Sequence, residues 1–215
     1  MLKTGRFQYS YLPARQTSPR EKVLLVFHGL GDSLHGFTWL PQELRLPPLS
    51  YLLVNAPDDY FGGYSWFDFM DNPTPGILRS RALVLGLLDD VMAQGVEARD
   101  IFLFGFSQGC LMALDAGLRA GVELGGICGV SGWLAFQEEY PAAFSPMARK
   151  QDFLVTHGTR DPMVPFKVTQ DQCKFLAAQG IDIAFRAYEK EHTMLPEEVG
   201  DIREWLLQRM ERAGA

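Results

Sequence analysis

Short apolar runs of strand length recur along this chain, separated by longer stretches whose apolar positions repeat every three to four residues. The strand-length runs fall at 7–12, 22–27, 50–55, 100–104, 125–130, 152–157 and 182–188. Helical spacing predicts helices over 36–46, 75–94, 107–120, 165–179 and 196–213, with Gly180 placed to end the fourth. Runs such as Lys22-Val-Leu-Leu-Val-Phe27 are apolar on both faces, as strands buried between two helix layers must be. Their alternation with helices predicts an α/β fold, with a mostly parallel central sheet of about seven strands flanked by helices. The first two runs, separated by Gln16-Thr-Ser-Pro-Arg20, are expected to pair as an antiparallel hairpin at one edge.

No repeat, low-complexity tract or linker interrupts this pattern. The 215 residues suit one domain over 1–215, and the short connections leave no room for a large cap domain. Residues 56–76, rich in Gly, Pro, Asp and aromatics, read as one long irregular segment, where substrate contacts tend to gather.

Composition narrows the chemistry. The chain is 47% hydrophobic and 21% charged, which is enough for a large core. Its net charge is −6, its pI is near 5.2, and it has no run of Lys or Arg. Nucleic acid is thereby excluded as a partner, and so is electrostatic docking to an anionic membrane, although a lipid-like substrate can still enter a pocket. The N-terminus lacks the apolar stretch of a secretory signal, and no segment approaches a membrane span. The three cysteines have neither metal nor redox spacing, and Cys110 and Cys128 read as small buried hydrophobes. The expected location is cytoplasmic. No His or Cys pair has the separation of a metal site, and there is no GxGxxG or P-loop, so neither metal nor cofactor is expected.

The most specific local pattern is Gly105-Phe-Ser107-Gln-Gly109, preceded by an apolar strand and followed by a helix. A serine nucleophile at the top of a strand needs a sharp turn to project its hydroxyl, and the flanking glycines remove side chains that the turn would crush. A serine hydroxyl also needs an imidazole to take its proton and an acid to orient that imidazole. Of the four histidines, His28 begins a Gly-containing loop, His35 starts a helix, and His157 leads into Gly-Thr-Arg-Asp161. His192 follows the last strand and precedes the last helix, where a base is expected. Asp161, in a loop stiffened by Pro162 and Pro165, is the candidate acid; Glu191, adjacent to His192, is the weaker one. The backbone N–H groups of Leu30, in His28-Gly-Leu-Gly-Asp32, and of Gln108 are candidates for an oxyanion hole. Asp32 and Ser33 are expected to brace that loop. Trp66, Phe67, Trp133 and Met163 lie in strand-end loops and either wall a substrate pocket or belong to the core.

Taken in order, His28-Gly-Leu-Gly-Asp32, Ser65-Trp-Phe-Asp68, the serine turn, Ser131-Gly-Trp133, His157-Gly-Thr-Arg-Asp161-Pro-Met-Val-Pro165 and His192-Thr193 carry a resemblance spanning about residues 20–210. The chain resembles the phospholipase/carboxylesterase family of α/β-hydrolases, which includes acyl-protein thioesterases and small bacterial carboxylesterases. The resemblance implies an α/β-hydrolase fold without a large cap. It also implies a cofactor-free serine hydrolase that cleaves carboxylic esters or thioesters through an acyl-enzyme. By motif position it implies Ser107 as nucleophile, Asp161 as acid, His192 as base, and the Leu30 and Gln108 amides as oxyanion donors. Cys110 and Glu191 depart from the family pattern, each standing where glycine is usual. Two other readings are a non-catalytic binding protein of the same fold and a serine hydrolase acting on amide bonds.

Overall fold

The structure, a computed structural model, describes residues 1–213. Its strands are β1 (Tyr9–Leu12), β2 (Lys22–Phe27), β3 (Leu49–Val54), β4 (Asp58–Tyr60), β5 (Gly63–Ser65), β6 (Ile101–Phe106), β7 (Gly126–Val130), β8 (Asp152–Gly158) and β9 (Asp182–Tyr188). The helices are α1 (Leu40–Leu44), α2 (Pro73–Met92), α3 (Gln108–Arg119), α4 (Phe166–Ala178) and α5 (Pro196–Ala213). Seven strands form one sheet in the order β1-β3-β2-β6-β7-β8-β9, parallel throughout except for β1 against β3. This is the α/β-hydrolase architecture.

Both faces of the sheet are covered, and alternate residues serve alternate cores. Leu25, Phe27, Leu52, Leu103 and Val155 point to a core completed by α2, α3 and α4. Leu24, Val26, Leu53, Phe104 and Leu154 point to a second core, completed by α1 and by Val199, Ile202, Trp205 and Leu206 of α5. Helix α3 runs beneath the centre of the sheet and is buried at nearly every position, with Arg119 half-buried.

Three expectations are corrected. The first two strands do not form a hairpin: β1 pairs with β3, while β2 lies between β3 and β6. The reason is burial, since all six residues of β2 are buried whereas those of β1 are only half-buried. A two-sided apolar strand is taken into the middle, and the more polar one is left at the edge. The helix expected over 36–46 is instead a 3₁₀ turn (Leu34–Phe37) followed by the short α1, because Pro41 cannot donate within a continuous helix. Finally, 56–76 is not wholly irregular. It holds the β4–β5 hairpin, whose turn residues Phe61 and Gly62 both have positive φ, at 44° and 90°.

Candidate active site

Ser107 sits directly between β6 and α3 with φ 55° and ψ −117°, a strained conformation for a residue with a side chain. The glycines around it are required by contact. A Cβ on Gly105 would be driven into the carbonyl of Gly109, and one on Gly109 into the carbonyls of Phe27 and His28. The turn is also tied to the neighbouring strand, since the Ser107 N–H donates to the Val130 carbonyl at 2.9 Å.

The other two residues converge on it from separate loops. His192 Nε2 lies 3.0 Å from Ser107 Oγ, and His192 Nδ1 lies 2.7 Å from Asp161 Oδ2. The Asp161 carboxylate can only accept at neutral pH, so Nδ1 carries the ring proton and Nε2 faces the serine as an acceptor. Asp161 is itself fixed, because its Oδ1 accepts the amides of Met163 and Val164, each at 2.9 Å. Burial pushes its carboxyl up, but those two amides and His192 outweigh it and hold the group below the usual carboxylate range. The His192 ring packs on Phe106 with centroids 4.9 Å apart.

Leu30 and Gln108 flank the serine from two sides. Gln108 opens α3, so its N–H has no acceptor within the helix. The Leu30 loop is braced on several sides. His28, buried, accepts the Ala56 N–H on Nε2 at 3.0 Å and donates from Nδ1 to the Gly29 carbonyl at 2.7 Å. Burial lowers its pKa, as suits a neutral structural imidazole. The Gly31 amide donates to Tyr64, and the Tyr64 amide donates back to Asp32, so the β4–β5 hairpin clips the loop in place. Asp32 accepts the Ser33 N–H, and Ser33 in turn accepts that of His35.

Serine and histidine open into a cleft of about 210 Å³, walled by Leu30, Phe69, Phe106, Trp133, Met163 and Val164. Trp133 and Met163 thus stand where a pocket reading puts them. Trp66 and Phe67 do not: both are fully buried and belong to the core. They are drawn inward by Gln108, whose side-chain oxygen accepts the Trp66 N–H at 3.0 Å and whose amide donates to the Phe67 carbonyl at 3.1 Å. The Trp66 indole then donates to the His28 carbonyl at 2.9 Å, so these two residues support the site from behind. Phe69, just beyond them, takes the lining role and is half exposed at the rim. A larger cavity, of about 400 Å³, lies by the start of β3 near Arg15 and Arg45, far from these groups.

The remaining candidates are placed as follows. His157 is buried and bonded to the Val164 carbonyl at 2.9 Å, and burial lowers its pKa. Glu191 is exposed and makes no hydrogen bond to the His192 ring. Cys110 fills space left by Gly129 and Gly132, and burial pushes its thiol well up, so it is no rival nucleophile. Among the described residues, no group of three His, Cys, Asp or Glu side chains could hold a metal, and no helix is long and apolar enough to cross a membrane.

The chain is similar to known proteins in sequence and in fold. Acyl-protein thioesterase 1 of Schizosaccharomyces pombe is 32% identical over 167 residues, covering 72% of this chain and 75% of its own. The crystal structure of Arabidopsis thaliana SOBER1 superposes with a TM-score of 0.81 at 28% identity, covering 88% of this chain and 99% of its own. A rice (Oryza sativa) relative, 27% identical over 94% of this chain and 90% of its own, is named a probable inactive carboxylesterase. The profile of the Phospholipase/Carboxylesterase family matches residues 14–209, and the chain belongs to that family.

Proposed function

We propose that this chain is a serine hydrolase that cleaves carboxylic esters or thioesters through an acyl-enzyme on Ser107. The observation that carries the reading is the continuous hydrogen-bonded line from Ser107 Oγ through His192 to Asp161, opening into an apolar cleft. In it, His192 Nε2 takes the hydroxyl proton as Ser107 Oγ attacks the acyl carbon. The negative charge that develops on the carbonyl oxygen falls to the Leu30 and Gln108 N–H groups, strengthened by the N-terminus of α3. His192 then returns the proton to the leaving alcohol or thiol, and a water activated the same way releases the acid. Asp161 stays ionised throughout, fixing the tautomer and stabilising the imidazolium.

Family membership and the names of its relatives, an acyl-protein thioesterase and the carboxylesterase SOBER1, support the same chemistry. The cleft takes a small-molecule or lipid-like substrate that presents an apolar group to Trp133, Phe69 and Met163. Three unpaired, buried cysteines are in keeping with a reducing compartment.

The rice relative gives a reason to keep the non-catalytic reading as the alternative, and one experiment separates the two. A fluorophosphonate probe should label the wild type on Ser107, p-nitrophenyl esters should turn over, and Ser107→Ala should lose both while remaining folded. An unlabelled, inactive but folded wild type would establish a binding protein instead.

A further inference from the structure

Two residues before His192 lies a lysine that the acyl-transfer steps do not use. Lys190 is 2% exposed, and its partner Glu198, on the first turn of α5, is 0% exposed. The ammonium donates to both carboxylate oxygens at 2.6 and 2.7 Å, to the Thr193 carbonyl at 2.6 Å and to Ser131 Oγ at 3.3 Å. All three of its protons are thereby used. Glu198 Oε2 also accepts the Leu195 N–H at 3.1 Å, so it reaches back over the start of α5 as a helix-capping glutamate does.

These contacts fall on both sides of the histidine. The pair holds the carbonyl of Thr193, immediately after His192, and the amide of Leu195, while the Lys190 backbone is anchored from the other side. The Lys190 carbonyl accepts the Arg160 N–H at 3.1 Å, joining the histidine loop to the loop that carries Asp161. Gly158 makes that approach feasible, since a Cβ there would be driven into the Lys190 carbonyl. Ser131 adds a tie to the end of β7, next to the strand partner of the Ser107 turn.

A buried ion pair is a poor way to gain stability. Desolvating both charges cancels most of their attraction, and apolar replacement of both partners is often neutral or better. The pair is better explained by what its protons and oxygens hold. Resting on the catalytic reading above, we infer that Lys190 and Glu198 are positioning residues for the hydrolysis: together they clamp residues 190–195 so that the His192 ring spans Ser107 and Asp161. Neither touches the reacting atoms. Their effect runs through the backbone on each side of the base, where a displacement of about 1 Å costs on the order of a hundredfold in rate.

The test compares Lys190→Met, Glu198→Met and the double variant, with active sites counted by fluorophosphonate labelling. Each single variant leaves one buried charge unpaired and should lower Tm strongly or fail to fold. The double variant removes both charges and should recover most of the lost Tm. Its kcat per labelled site should nevertheless remain at least tenfold below wild type, with KM for a p-nitrophenyl ester within about threefold, because the backbone clamp is gone. Recovery of kcat together with Tm would overturn the inference and leave the pair a purely structural element. Glu198→Gln covers the case in which no methionine variant folds. It keeps the shape, but in either amide orientation an NH2 donor replaces one of the two oxygens that accept from the ammonium. That should loosen Lys190 from the Thr193 carbonyl and lower kcat several-fold with KM unchanged; kcat within twofold of wild type would overturn the inference by itself. Failure of the catalytic reading is read separately, as a wild type that neither labels nor turns over.

Discussion

Two loops deliver the serine and the histidine to the same point, and they are built on opposite principles. The Ser107 turn is held by what is missing. With no side chain at Gly105 or Gly109, α3 packs directly onto the ends of β6 and β2, and Ser107 is forced to a positive φ. The His192 loop is held by what is present, namely a buried lysine and glutamate whose protons and oxygens are spent on the backbone around it. The serine therefore rests on sterics, which tolerate no added atom. The histidine rests on electrostatics, which tolerate removal of both charges far better than removal of one. Asp161 stands between the two schemes: its Oδ1 takes two amides of its own turn, and its loop is tied to Lys190.

The largest expected effect comes from the residue that holds the far side of the His192 ring. Asp161→Asn should keep the fold but lower kcat about 10⁴-fold, because an amide can present a donor to Nδ1 and turn the imidazole into the wrong tautomer. Its pH signature follows from the direction of the native shift. The native carboxyl titrates below its unfolded counterpart, so its stabilising contribution is complete above the unfolded value, about 3.9. That contribution is lost only as pH falls from there through the lower native value. The Tm difference between wild type and Asp161→Asn should thus not shrink between neutral pH and about pH 5, and should close below about pH 4. A difference that closed between pH 5 and 7 would contradict the hydrogen-bonding scheme at Asp161.

Next in size is a challenge to the steric half of the comparison. Gly109→Ala sets a methyl group against the carbonyls of Phe27 and His28, rigid backbone that cannot rotate away. It should cost about 3 kcal/mol or more in chemical denaturation and lower activity further by displacing Ser107. If the variant were as stable and active as wild type, the turn would be more pliable than these contacts allow.

The same contrast decides what was legible in the chain. Glycine at a steric contact is readable because only one residue type fits, so the Ser107 turn follows directly from the residues, while the bounds of β2 and β9 follow from their strand-length runs. The edge position of β1 is not a local property. It depends on which strand has the more apolar pair of faces, a competition settled only in the assembled sheet. The β4–β5 hairpin was hidden by its own turn, where Phe61 occupies a positive-φ position that Asn or Asp usually marks. Trp66 and Phe67 are ambiguous in the sequence because their inward course depends on the side chain of Gln108, 42 and 41 residues away. Lys190 and Glu198 carried no signal at all, since charged residues in a loop and a first helical turn are ordinarily solvated.

A smaller effect is expected at the mouth of the cleft. Trp133 packs edge-on against both Phe67 and Phe69, with centroids 6.2 and 6.3 Å away. Trp133→Ala should therefore loosen the wall of the cleft without touching the hydrogen-bonded line. KM for esters with an apolar acyl group should rise about tenfold, the value of roughly 1.4 kcal/mol of lost apolar contact, while kcat changes little. A fall in kcat at constant KM would instead place Trp133 in the support of the catalytic groups.

The smallest effect concerns Glu191, which adjoins His192 in sequence and brings a negative charge beside it. Adjacency alone suggests that its carboxylate would favour the imidazolium and move the pH–rate profile. The loop's geometry argues otherwise. Lys190 is turned into the protein and His192 is turned toward Ser107, while Glu191 between them is exposed, with its backbone carbonyl accepting the Thr193 N–H at 2.9 Å. An exposed charge at physiological ionic strength is screened within about 8 Å, whereas Asp161 acts on the ring from 2.7 Å out of solvent. Glu191→Gln, which removes only the charge, should leave the kcat/KM profile superimposable on wild type within about 0.2 pH unit, a difference of about 0.3 kcal/mol. Glu191→Gly should behave alike, because the clamp on residues 190–195 holds the backbone without help from that side chain. A profile that moved in Glu191→Gln would show that the exposed carboxylate reaches the ring. A profile that moved only in Glu191→Gly would show that the loop needs more than its ion pair to stay in register.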